Sequence, residues 1–206
     1  MTLPSPFLAR ESWPVIGLTT LAAVLSSFFL GWGPVSAVLW LAVAALVHFV
    51  RHAPPTIPAE AGAILSPANG RVVKIEKVRD RYANRDALRI SVFMNVFNAT
   101  ANRASVDGVV KQVQYFGKAS KQQERSALVI ESGGQIVTLV QVAGLIARRV
   151  LCYAKVGDIL TRGQRYGLIR FGSRIDVYLP LHAVPQVATG QRVSATTTIL
   201  ATLPKA

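Results

Sequence analysis

From Ser12 to Val50 the chain carries no Asp, Glu, Lys or Arg, and no other feature restricts its fold so strongly. A run of that length without charge belongs in a protein interior or in an apolar medium. It divides into two apolar stretches, Val15 to Leu30 and Val35 to Val50, around Gly31-Trp32-Gly33-Pro34. That tetrapeptide is a strong turn signal. As a helix each stretch is about 24 Å long, short of the roughly 30 Å of bilayer hydrocarbon. A spanning pair and a shallow re-entrant hairpin both stay open. Trp13, Trp32 and Trp40 suit an interface, and Arg10 and Arg51 bracket the segment, which puts both ends on the cytoplasmic side. A cleaved signal peptide fits poorly, because the apolar region starts late and a second one follows it. Residues 1–52 are therefore expected to form a membrane-anchoring helical hairpin.

Ala53-Pro-Pro-Thr-Ile-Pro58 is a stiff, non-helical linker. Residues 53–58 thus separate the hairpin from a domain over 59–206, which holds all but two of the 23 Lys and Arg and all but one of the 10 Asp and Glu. The formal charge of +13 favours an anionic partner. No basic run interleaved with aromatics occurs, so an anionic membrane surface is expected and nucleic acid is not. Cys152 is the only cysteine. It excludes an intrachain disulfide and a cysteine-based zinc site, and it reads as a core thiol. No metal site is expected.

Short alternating segments predict strands over 71–78, 88–93, 108–115, 127–131, 135–142, 149–154, 166–171, 175–179 and 196–203, with Gly, Asp and Asn turns between them. Ala68-Asn-Gly-Arg-Val-Val-Lys74 echoes Val106-Asp-Gly-Val-Val-Lys111, and Gly163-Gln-Arg-Tyr166 echoes Gly190-Gln-Arg-Val193. Val156-Gly-Asp-Ile-Leu-Thr-Arg-Gly-Gln164 has the turn-strand-turn pattern of lipoyl and biotinyl carrier domains, without their lysine at a hairpin tip. The expected class is mainly β: a flattened β-barrel or sandwich of lipoyl-like hairpin repeats, preceded by an N-terminal α-helical membrane hairpin.

Within Leu168-Ile-Arg-Phe-Gly-Ser-Arg-Ile-Asp-Val-Tyr-Leu-Pro180 the pair Gly172-Ser173 interrupts an alternating strand pattern, where a bulge or bend would expose the backbone. A serine hydroxyl can attack the carbonyl before it when the preceding residue is as small as Gly172. The resulting ester can eliminate across the serine Cα–Cβ bond, and hydrolysis then leaves a pyruvoyl group and ammonia. Such a ketone forms a Schiff base with an amine and acts as an electron sink made from the chain itself.

This block resembles the short bacterial form of phosphatidylserine decarboxylase. The similarity runs from about Ile64 to Leu200, through Ser66-Pro-Ala-Asn-Gly70, Ile90-Ser-Val-Phe-Met-Asn-Val-Phe97, Asn102-Arg-Ala104, Val106-Asp-Gly-Val109, Glu124-Arg125 and Gln141-Val-Ala-Gly-Leu-Ile-Ala-Arg-Arg149. It implies self-cleavage between Gly172 and Ser173, a pyruvoyl cofactor and Schiff base at Ser173, and conversion of phosphatidylserine to phosphatidylethanolamine. The partners implied are phosphatidylserine and the protein's own two fragments as a heterodimer, with further self-association left open. Arg174 is the preferred head-group contact, with Arg170, Arg149 and Arg148 beside it. Two family positions are altered: Asn69 stands in place of an acidic residue and Thr100 in place of a histidine, and neither exchanges protons near neutral pH. His182, the one histidine after residue 52, is the candidate proton shuttle. Asp176 falls on the opposite face of an ideal strand from Ser173. Glu124, Glu131 and Asp107 read as solvated charges. The alternatives are an uncleaved homologue that binds anionic phospholipid and a lipoyl-like adaptor domain on a membrane hairpin.

Overall fold

A computed structural model describes residues 13–29, 31, 33–50, 57–94, 101–117, 123–144, 150–169 and 173–203. The chain separates into two compact units, Met1–Pro54 and Pro55–Ala206. Arg10, Trp32, Arg51, His52 and the first part of the Pro-rich linker lie outside the described residues.

The first unit is a helical hairpin of α1 (Trp13–Phe29) and α2 (Pro34–Val50). Pro34 opens α2 where its missing N–H costs nothing, and Gly31 takes a φ of 71° that side chains avoid. Ser36 Oγ accepts from Gly33 N at 3.0 Å, and Trp40 Nε1 donates to Ser27 Oγ at 3.2 Å to tie the helices together. Leu18, Phe28 and Leu41 point their apolar surface outward. Each helix has 17 residues, about 25 Å of rise. Among the described residues, no helix is long and apolar enough to cross a membrane. The expected membrane hairpin is therefore seen as a hairpin, without support for spanning.

The second unit is mainly β. Its strands are β1 (Ala63–Leu65), β2 (Gly70–Asp80), β3 (Arg85–Met94), β4 (Ala101–Arg103), β5 (Gly108–Phe116), β6 (Arg125–Ser132), β7 (Gln135–Val142), β8 (Val150–Cys152), β9 (Ile159–Leu160), β10 (Arg165–Ile169), β11 (Ser173–Leu179), β12 (Val184–Pro185), β13 (Arg192–Val193) and β14 (Ile199–Thr202). One eight-stranded sheet runs β13-β2-β3-β11-β7-β6-β5-β9, and two three-stranded sheets run β4-β10-β8 and β1-β14-β12. The large sheet curls, since Asp80 at the end of β2 reaches across to accept from Thr138 of β7 at 2.8 Å. Among the described residues it does not close into a barrel: β13 and β9 are edges, each paired on one side.

The echo of 68–74 in 106–111 becomes a geometric repeat, whereas Gly163 and Gly190 do not correspond: Val193 pairs with Gly70 as Leu160 pairs with Gly108, which sets Gly190 opposite Gly157. Hairpin β2–β3 and hairpin β5–β6 share one register. Gly70 and Gly108 open their first strands, and a bulge follows at the same place, between Val72 and Lys74 and between Val110 and Gln112. A Cβ on either glycine would lie 2.2 Å from a carbonyl oxygen, that of Phe93 or of Glu131. Gly190 N and Val72 N bond Val72 O and Gln191 O, as Gly157 N and Val110 N bond Val110 O and Asp158 O. The central strands β11 and β7 correspond as well, so a pseudo-twofold axis passes through the Val177–Leu139 pair. The main core lies on one face of the sheet. Ile90, Leu139, Ile175, Val177 and Leu179 are each fully buried there, each contributing about 1.5–3 kcal/mol by leaving water.

Candidate active site

The predicted strand over 166–171 and that over 175–179 are not two arms of one interrupted strand. β10 belongs to a small sheet and β11 to the large one, so the chain changes sheets between Ile169 and Ser173. Gly172 and Arg170 lie outside the described residues, as do Arg148, Arg149 and Thr100. Ser173 is the first residue of β11, buried at 3 % exposure and paired with Met94 of β3.

Alternation puts Ser173 on the face of Ile175, Val177 and Leu179, toward the core. Gln141 pairs with Ile175 and shares that face. Its Nε2 donates to Asn102 Oδ1 at 2.6 Å, and Asn102 Nδ2 reaches Met94 Sδ at 3.7 Å. Gly167 of β10 makes room for this amide, because a Cβ there would stand 2.6 Å from Gln141 Nε2. A buried strip of Ser173, Met94, Asn102 and Gln141 thus links the large sheet to the β4-β10-β8 sheet. Gln141 Oε1 is buried without a hydrogen-bond partner, an orphan acceptor on the face that Ser173 shares. Cys152 packs against the core near Ser126, and burial pushes its thiol up from its ordinary value. The fully buried Tyr166 phenol is likewise held well above its ordinary value by burial.

The opposite face carries Arg174 and Asp176. Arg174 Nε meets Asp176 Oδ1 at 2.9 Å, and Ser91 Oγ donates to the same carboxylate oxygen at 2.6 Å. Asp176 is therefore buried but separated from Ser173 by the sheet. His182 lies beyond the far end of β11, about 20 Å of strand from Ser173. It is exposed and 3.2 Å from Gln135 Oε1. The seven-residue strand sets it at the end away from Ser173.

Asn69 directly precedes β2, two strands from Ser173 in the sheet order, and its Oδ1 accepts from Ala195 N at 2.7 Å. Glu124 is buried rather than solvated. It accepts from Tyr115 Oη, and from Val150 N at 3.0 Å. Glu131 and Asp107 remain surface charges paired with Lys111 and Arg162. The sequence reading missed Gln141 and Asn102 as site residues. Both stood in the quoted blocks, and a glutamine inside the apolar run Ile136–Ala143 was the available signal.

These features define an all-β unit whose central strand starts on a buried serine at a change of sheet. The phosphatidylserine decarboxylase family model matches residues 43–201. The chain is 53% identical over 213 residues to a phosphatidylserine decarboxylase proenzyme of Paraburkholderia xenovorans, covering 98% of this chain and 100% of that protein. It is 55% identical to one of Ralstonia nicotianae, covering 98% of each, and 54% identical to one of Cupriavidus pinatubonensis, again covering 98% of each. No solved structure matches significantly. The chain belongs to the phosphatidylserine decarboxylase family.

Proposed function

We propose that the chain is a proenzyme that cuts itself between Gly172 and Ser173 and then converts phosphatidylserine to phosphatidylethanolamine. The observation that carries this reading is the near full-length identity to curated proenzymes, with a buried serine at the start of a central strand. Ser173 Oγ attacks the Gly172 carbonyl, exchanging the amide for an ester and freeing the Ser173 amine. Loss of the Ser173 Cα proton expels the Gly172 carboxylate. Water then replaces nitrogen at the same carbon, leaving a pyruvoyl group and releasing ammonia. That group supplies an electrophilic carbonyl that takes a substrate amine and accepts the electrons left by carbon dioxide.

The residues present fit such a group. Ser173 is buried, and Gln141 Oε1 stands on its face as an unpartnered acceptor. Asn102 and Gln141 orient and exclude water; as neutral amides they do not carry protons. In this reading Arg174, exposed over 43% of its side chain, meets an anionic head group, and Arg148, Arg149 and Arg170 are further candidates by sequence alone. Cleavage would not scatter the fragments. β11 is bonded by β3 on one side and β7 on the other, while β13 and β14 of the same piece pair with β2 and β1. The exposed apolar helices attach the protein to the inner membrane, with the β unit on its cytoplasmic side.

Intact-mass analysis of the purified protein tests the reading. Two species are expected, the smaller beginning at residue 173 and lighter by one ammonia than a serine-started peptide. A single full-length species would replace the enzyme with the uncleaved, lipid-binding homologue.

A further inference from the structure

Across the register, one row of residues crosses six strands on the face opposite Ser173, immediately beside it. From β2 to β5 the row is Arg71, Phe93, Arg174, Val142, Arg125 and Phe116. Three guanidiniums alternate with three apolar side chains. Phe93 is 47% exposed and Phe116 44%; Arg71 is exposed and Arg125 half-buried. Among the described residues, only Arg174 of the three arginines is in an ion pair.

The fold does not demand this composition. The pseudo-twofold carries Arg71, Phe93 and Arg174 onto Val109, Glu131 and Ile136, and Arg125 and Phe116 onto Ala87 and Val78. No basic residue stands at any of these counterparts. The same scaffold therefore builds one basic, aromatic row and one row without a cation.

We propose that this row is the surface by which the β unit docks on a bilayer containing anionic phospholipid. Arginine forks match phosphate oxygens in a bidentate manner. The two phenylalanine rings between them offer apolar surface to the boundary of head groups and acyl chains. The inference rests on the reading of a membrane lipid as substrate, and it sets the first residue of β11 at the bilayer surface. It assigns a role to Arg71, Arg125, Phe93 and Phe116.

The test uses the full chain with Cys152→Ser and Ser173→Ala, so that it carries no other thiol and stays uncut. A single cysteine at 93 or 116, and at the counterpart position 131, carries an environment-sensitive fluorophore. Phosphatidylcholine vesicles are added with and without phosphatidylglycerol, and with nitroxide-bearing lipid as quencher. Labels at 93 and 116 are expected to shift blue and be quenched on anionic vesicles, while the label at 131 stays unchanged. Arg71→Gln and Arg125→Gln should raise the lipid needed for half-maximal quenching about fivefold per arginine. Equal quenching at 131, indifference to lipid charge, or the same response to duplex DNA would overturn the proposal. Because the chain is uncleavable, docking is judged apart from self-processing.

Discussion

The two halves of the large sheet share a register and differ at one junction. In β5–β6–β7 the chain turns from Ser132 to Gln135 through Gly133-Gly134, both at positive φ. In β2–β3–β11 the equivalent neighbours, Met94 and Ser173, sit side by side with no such turn between them. The chain leaves after β3 and returns as β11 only after building β4 to β10. One half spends its hairpin end on a tight loop; the other leaves a strand start there, next to a buried amide strip. The scaffold is common property, and what differs is the opened connection. Even the histidine obeys this: His182 meets Gln135, the counterpart of Ser173, and not Ser173 itself.

Exchanging the side chains at that junction should have the largest effect. Ser173→Ala removes the attacking hydroxyl and should leave one uncut, inactive chain on a denaturing gel. Gln135→Ala at the counterpart should process and turn over normally, with stability changed by no more than about 0.5 kcal/mol. Loss of processing in both variants would mean that the halves are not functionally distinct.

A smaller effect tests whether the halves are structurally equivalent. Gly70→Ala and Gly108→Ala each drive a Cβ to 2.2 Å from a carbonyl oxygen, and each should cost about 2–3 kcal/mol in denaturant unfolding. A large cost at one site with none at the other would break the pseudo-twofold.

The smallest effect concerns Asn69, whose counterpart is Asp107. Both side-chain oxygens accept from a backbone N–H, Ala195 N at 2.7 Å and Arg162 N at 2.8 Å. Asp107 is also paired with the Arg162 side chain, at 2.8 Å, and Ala195 offers no such charge. Asn69→Asp should keep the backbone bond and change stability by about 0.5 kcal/mol or less. It should also speed the appearance of the small fragment, more so with Thr100→His, as followed by a processing time course. An unchanged rate would show that an acidic group at 69 has no part in cutting this chain.

Much of the fold was legible because its signals are local. The 135–142 strand was bounded correctly by alternation and by the glycines before it, and the echo of 68–74 in 106–111 marked equivalent strand starts. β1, β4, β12 and β13 were not foreseen, since strands of two or three residues carry too little pattern, and β9 showed only as the strand of the turn-strand-turn run 156–164. Of the site, Ser173 was visible from its block. Gln141 and Asn102 were hidden, because their bond joins strands far apart in the chain.

By itself the sequence determined the uncharged helical pair, the alternation that buries one face of each long strand, and the glycine positions that only a close backbone approach requires. These follow from burial and sterics within a few residues. Tertiary structure alone decided that β10 and β11 part into different sheets, that Met94 is the neighbour of Ser173, and that His182 stands at the far end. It also aligned three arginines with three apolar residues in one row. Register between distant strands sets all of these, and a shift of one residue would turn every one of those side chains to the other face.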